Sequence, residues 1–412
     1  MGQEMRKKIA FVHYPHGPKS ARLETMPFAL NSVIALATAG WKIDLYVWER
    51  PLWGQPTSNY GNLLPKNVTV RYFSELRYNP LNRWRHIWLK FRFQWHSDYL
   101  CVFGLGQIGA YVGNLIAKAS NCPFIHIVDE FPSNWPSTLW SKLEQQAAKD
   151  AAMVVVPDPQ QFPFLCKELA IAPTKPYAPL PNVAVVHPLT EQINWHAKLG
   201  LPENSIPFLY AGSVSAWAQV PELLSTVPDW PEPAVLVVHS RSKREIQTFR
   251  QQYSHLEVEN RIFWSSEPLP QDYLNSLVSY CEGNFALYCN TGPHIEYVGF
   301  SSGKLMRSLA CGSPVIASKL SSFSFVEEHK LGVLVSNVAE IPNAVKQIMG
   351  NRENYRKRCL YFCETYASFE AHWPKFCDEL MNVTKIDLQK QNPSSSNRLS
   401  RSVAIKTVGS ES

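Results

Sequence analysis

The chain has no apolar run approaching the ~18 residues that a membrane-crossing helix needs, so no transmembrane span is expected. Its nine cysteines include no CxxC pair. Cys359 and Cys363 stand four apart, but in a charged, helix-forming stretch with no histidine at ligand spacing. That pattern argues against a zinc module or a disulfide scaffold and for buried, inert thiols in a reducing compartment. Residues 1–8 are charged and lead straight into an apolar segment, so no signal peptide is expected and the predicted location is cytoplasmic. Charge is sparse, at 18% against 45% hydrophobic residues. Such a composition is ordinary for a globular protein with ample core, and 412 residues are too many for one domain. The net charge of +6 suits a phosphate-bearing substrate or an anionic surface.

What is present is an alternation of strands and helices. The first half reads as strands at 8–13, 41–48, 68–73, 99–103, 124–128 and 152–156, with helices at 23–40 and 107–120. A proline-rich link covers 173–188. The pattern then restarts with strands at 208–212, 234–239, 261–265, 286–289, 313–318 and 332–335. Strands separated by helices predict two doubly wound α/β units with parallel sheets. Residues 352–383 read as helical, and 385–412 as a polar, serine-rich disordered tail.

The most informative segment is 301–318, SSGKLMRSLACGSPVIAS. It reads as a helix capped by Ser301 or Ser302 and stopped by a left-handed Gly312, followed by a buried strand. Lys304, Arg307 and Ser308 lie at i, i+3 and i+4 and share one face. Lys304 stands in the first turn, where free N–H groups and the helix dipole already favour an anion. A phosphate site is one reading; a solvated face on an ordinary sheet-covering helix is the other.

The segment resembles the donor-site signature S-P-x-K-x-x-E-Y-L-A-x-G-x-P-V of the GT-B glycosyltransferases, in particular the bacterial retaining, nucleotide-sugar-dependent group. Ser301, Lys304, Leu309, Ala310, Gly312, Pro314 and Val315 fall on its positions. Residues 208–213 followed by Trp217 are similar to that group's strand and glycine loop, and 286–291 to the strand and polar loop before the donor helix. The resemblance implies a GT-B fold of two facing Rossmann-like domains: 1–185 on the acceptor side, 186–365 for the donor, and 366–384 closing back onto the first. It implies transfer of a sugar from a nucleotide-sugar donor to a saccharide or lipid-linked acceptor in cell-surface polysaccharide synthesis, with no cofactor and no metal. Gly212, Ser213, Arg241, Asn290, Thr291, Lys304 and Arg307 are the implied donor-binding residues. Two departures stand out. Arg307 occupies the place of an acid that accepts hydrogen bonds from ribose, which a guanidinium cannot do, although it can clamp a diphosphate. The loop 213–219 lacks the family's basic residue, with Arg241, Lys243 and Arg244 as nearby substitutes. These departures also motivate a catalytically inactive scaffold as an alternative.

In the first half, residues at the carboxyl ends of predicted strands are the candidates for chemistry. His16 follows the first strand, and Asp129 and Glu130 follow 124–128, where an acid would orient or deprotonate an acceptor hydroxyl. Each also reads as a loop residue or helix cap. Gly104, Gly106 and Gly109 form a GxGxxG turn after a strand, with Asp129 twenty positions beyond. An NAD(P)-dependent oxidoreductase is therefore a second alternative. Residues 81–96, LNRWRHIWLKFRFQWH, form a basic, tryptophan-rich amphipathic helix. It suits either packing on a sheet or peripheral contact with an anionic membrane on its inner face. No nucleic-acid module accompanies it.

Overall fold

The computed structural model describes residues 8–13, 23, 26–49, 64–74, 98–128, 139–184, 186, 189, 191–258 and 260–388. They form two parallel sheets. The first runs β1 (Lys8–His13), β2 (Lys42–Glu49), β3 (Val68–Ser74), β4 (Cys101–Leu105), β5 (Phe124–Ile127), β6 (Met153–Val156) and β7 (Tyr177–Pro179), in the spatial order β3-β2-β1-β4-β5-β6-β7. The second contains β8 (Ile206–Ala211), β9 (Ala234–His239), β10 (Ile262–Ser265), β11 (Gly283–Ala286), β12 (Val315–Ser318) and β13 (Gly332–Val335), ordered β10-β9-β8-β11-β12-β13. Central strands such as CVFGL, MVVV and AVLVVH are buried along their whole length, as strands covered on both faces must be. In each sheet the order reverses once, between β1 and β4 and between β8 and β11. Open α/β sheets bind ligands in the crevice at the carboxyl side of such switch points.

Among the boundaries that differ from the sequence reading, three have a visible physical reason. The proline-rich link holds the strand β7, which carries Pro179 opposite Val156; at a sheet edge a missing N–H costs no ladder bond. The strand expected at 286–289 is instead Gly283–Ala286. Past its end the Tyr288 N–H goes to Ser318 Oγ at 2.9 Å and the Cys289 N–H to the Trp217 carbonyl at 2.8 Å, so the backbone leaves the ladder for a loop. Finally, order continues into the segment read as tail. The Trp41 indole N–H donates to the Leu388 carbonyl at 3.0 Å, and Leu388 is buried.

The Phe369–Thr384 helix packs Phe369, Phe376 and Leu380 into the core under the first sheet. The GxGxxG glycines are used for packing. A Cβ on Gly104 would come 2.5 Å from the Gly109 carbonyl and 2.8 Å from the Phe124 ring, so bare backbone is what lets the Gly106–Ser120 helix lie against β4. The two halves meet directly. Asp158 Oδ2 accepts the Phe300 N–H at 2.9 Å, and Gln161 Nε2 donates to the Tyr297 carbonyl and Ser301 Oγ, each at 2.9 Å. The Asn182 N–H reaches the Phe300 carbonyl at 3.1 Å. The segment feeding the 303–310 helix is thus bolted to the end of the first sheet.

Candidate functional site

The Gly303–Ala310 helix begins as its sequence predicts. Ser302 Oγ accepts the Leu305 N–H at 3.3 Å, and Gly312, at φ +71°, turns the chain out of the helix toward β12. Its first turn faces a cavity of about 700 Å³ at the carboxyl ends of β8 and β9. Gly212, Ser213, Arg241, Lys304 and Arg307, five of the residues implied by the resemblance, line it together.

Lys304 lies among aromatic rings. Its ammonium donates to Tyr210 Oη at 3.0 Å and sits 4.8, 5.0 and 4.9 Å from the ring centres of Tyr210, Trp217 and Tyr288. Burial pulls its pKa down to about 8. Gly212 makes room for it, since a Cβ there would come 2.8 Å from Lys304 Cε. Arg307 uses a single nitrogen for its contacts: Nη1 donates to Gln271 Oε1 at 2.7 Å and to Asn275 Oδ1 at 3.2 Å. Burial, with a contribution from Arg241, lowers the guanidinium pKa to about 10. Among the described residues neither Lys304 nor Arg307 has an ion-pair partner.

His239, at the end of β9, is held through Nδ1 by Ser265 Oγ at 2.9 Å, while its buried Nε2 has no hydrogen-bond partner. Burial, then Arg241 and Arg307, push its pKa to about 4, so the imidazole is neutral at pH 7. Glu245 ties the two loops of the cavity. One carboxylate oxygen accepts from Ser213 Oγ at 2.6 Å and the other from Ser240 Oγ at 2.7 Å. Tyr210 Oη donates to the Ser213 carbonyl at 2.7 Å, so a chain of hydrogen bonds runs from Lys304 through Tyr210 and Ser213 to Glu245 and Ser240. The arrangement is a cationic pocket with free donors and little counter-charge, which suits a multiply charged anion.

Asn290 and Thr291 do not line this cavity. Asn290 Nδ2 donates to Glu296, and Thr291 Oγ1 pairs with His294, so both shape their own loop beyond β11. Glu296 accepts from Ser321 and from Asn290, which hold its pKa below the usual value, and it acts as a loop staple. His16, Asp129 and Glu130, and the 81–96 segment, lie outside the described residues. Glu245, His239, Gln271 and Asn275 were not singled out from sequence. A serine N-cap at Ser242 three residues before Glu245 marks a helix start there, but nothing local shows what its carboxylate holds.

Sequence comparison finds no matching protein family and no matching curated protein. Solved structures do match over nearly the whole chain. Sucrose-phosphate synthase from Thermosynechococcus elongatus superposes with a TM-score of 0.66 at 16% identity, covering 92% of this chain and 99% of that one. HepE from Anabaena, solved with UDP and glucose, gives 0.65 at 13% identity over 91% and 99%. The lipopolysaccharide outer core galactosyltransferase WaaB gives 0.57 at 12% identity over 91% and 99%. With two parallel sheets of matching topology and a cationic cavity at the switch point of the second, the chain has the GT-B fold.

Proposed function

We propose that the protein transfers a glycosyl group from a nucleotide-sugar donor to a saccharide or lipid-linked acceptor. The observation that carries this reading is the pair Lys304 and Arg307, two partly buried cations with no ion-pair partner among the described residues, on one face of a helix start facing an open cavity. Burying uncompensated cations is unfavourable unless an anion completes them. A diphosphate fits that requirement. The backbone at Gly212 and Ser213 approaches one phosphate, the ammonium reaches it from Tyr210, and the Nε and Nη2 of Arg307 remain for the other. When the bond from the anomeric carbon to the phosphate oxygen breaks, negative charge grows on the leaving diphosphate. Fixed donors there stabilise the transition state more than the ground state. The acceptor hydroxyl attacks the anomeric carbon and gives up its proton, for which Asp129 or Glu130, following β5 in the chain, is the assigned base. HepE, solved with UDP and glucose, supports the nucleotide-sugar donor, and WaaB, a lipopolysaccharide outer core galactosyltransferase, supports a surface-polysaccharide role.

The test is thermal stabilisation of the full chain by UDP, GDP, ADP and NAD(P). A ligand at a hundred times its Kd adds about 2.7 kcal/mol to stability. A shift with a nucleoside diphosphate that disappears in Lys304→Ala is the expected result. A shift with NAD(P) alone points to an oxidoreductase, and none with any ligand to a binding-inactive scaffold.

A further inference from the structure

The three rings around Lys304 differ in their reasons for being there. Tyr210 and Tyr288 are core residues whose phenols have their own partners: Tyr210 Oη donates to the Ser213 carbonyl while accepting from Lys304, and Tyr288 Oη pairs with Ser302 Oγ at 2.7 Å. Trp217 is 47% exposed, so burial of its own surface does not account for its place. The backbone sets it there. Ala216–Ala218 form a 3-10 turn that leaves through Gln219 at φ +53°, and the Trp217 carbonyl accepts the Cys289 N–H at 2.8 Å. Its ring then lies 6.0 Å from Tyr288 and 5.0 Å from the Lys304 ammonium.

A partly buried ammonium needs something to offset its lost hydration. A carboxylate would do so, but it would also compete with any incoming anion for the same N–H donors. An aromatic face attracts the cation through its quadrupole and leaves those donors free. We propose that Trp217 is a positioning residue that keeps Lys304 protonated and aimed at the cavity through the face of its indole ring. Tyr210 from β8 and Tyr288 from the loop after β11 face the same ammonium, Arg307 lies on its own helix, and Arg241, His239 and Glu245 stand on the cavity wall. Glu245 is occupied by Ser213 and Ser240, so the offsets to the charge among the described residues are the Tyr210 hydroxyl and the three ring faces, of which Trp217 alone is substantially exposed. Only the identity of the incoming anion rests on the nucleotide-sugar reading.

The ring acts in two opposed ways that a substitution separates. It shields Lys304 from water, which lowers the amine's pKa, and its π face favours the charged form, which raises it. Trp217→Leu keeps most of the cover and removes the π face. The experiment is trace acetylation of Lys304 with acetic anhydride across pH 6–11, read by peptide mass spectrometry on the full-length wild type, Trp217→Leu and Trp217→Phe. Trp217→Leu is expected to lower the half-ionisation pH of Lys304 by about one unit, with Trp217→Phe close to wild type. A half-ionisation pH in Trp217→Leu equal to or above wild type would show that the indole is only a cover and overturn the proposal. Trp217→Met, equally flexible and without a π face, serves if the leucine variant does not fold. Binding of UDP, GDP and ADP is measured in parallel at pH 7.5. Failure of the wild type to bind any of the three sinks the nucleotide reading, while the titration still decides the role of Trp217.

Discussion

The two halves of the molecule treat buried charge in opposite ways. In the first sheet Asp44 is fully buried on β2, and three partners converge on its Oδ2: Lys8 Nζ at 2.5 Å, Arg71 Nε at 3.1 Å and Tyr99 Oη at 2.6 Å. Burial alone would raise its pKa, but hydrogen bonds from Lys8, Tyr99 and Arg71 outweigh that and hold it below its usual value. In the second half Lys304 and Arg307 are met by rings and neutral amides, and burial moves both pKa values away from the charged state. One charge has its counter-charges within the chain. The other two have none among the described residues. Asp44 stands near the amino ends of its strands, opposite the side where such sheets bind ligands, whereas Lys304 stands at the carboxyl side of a switch point. A buried charge met by opposite charges within the chain is therefore structural, and a pair of cations with none among the described residues, at a switch point, is a candidate for binding.

The comparison breaks most visibly under deletion. Lys304→Ala is expected to lower glycosyl transfer on the order of 10²–10³-fold, as loss of one transition-state donor does, with the melting temperature unchanged or raised. Transfer within a few-fold of wild type would remove Lys304 from the chemistry. Asp44→Ala is expected to do the reverse. Stability falls by about 3 kcal/mol in urea unfolding because a buried charge network loses its centre, while nucleotide affinity in the remaining folded protein is unchanged. A variant as stable as wild type would show the network to be dispensable.

A milder probe is alkaline pH. The folded amine of Lys304 titrates near 8, against 10.5 in the unfolded chain. Between those values the unfolded chain holds a proton that the folded chain has released, so Lys304 contributes rising, not falling, stability with pH. Diphosphate binding requires the ammonium. Affinity measured by calorimetry is expected to drop about tenfold per unit above pH 8, and Lys304→Ala to lack that slope. The smallest effect lies in acid. Asp44 titrates below 3.8 when folded, so its contribution is complete above that value and lost as pH falls through the lower folded value. Asp44→Asn is expected to flatten that limb of the stability curve.

Much of this organisation was readable before any coordinates. Strands β1, β9 and β13 fall where apolar runs between helix signals place them, and the 303–310 helix has its serine cap and its glycine stop. Lys304 and Arg307 share a face because three residues nearly complete a turn. Two strands were misread for physical reasons. β7 hides among prolines because an edge tolerates a missing donor, and β11 ends early because its apolar continuation finds hydrogen bonds outside the sheet.

The sequence by itself determined the α/β class of fold, which follows from short periodicities, and placed Lys304 and Arg307 on one face of a helix, while it left that face open between a phosphate site and plain solvent. Only the tertiary structure decided that those cations have no ion-pair partner among the described residues. Gln271 and Asn275 reach Arg307 across 36 and 32 positions, Tyr210 reaches Lys304 across 94, and Asp158 meets Phe300 across 142. Such partnerships carry no local signature. They depend on how the loops and helices at the strand ends pack against one another, and that is settled by packing over the whole chain.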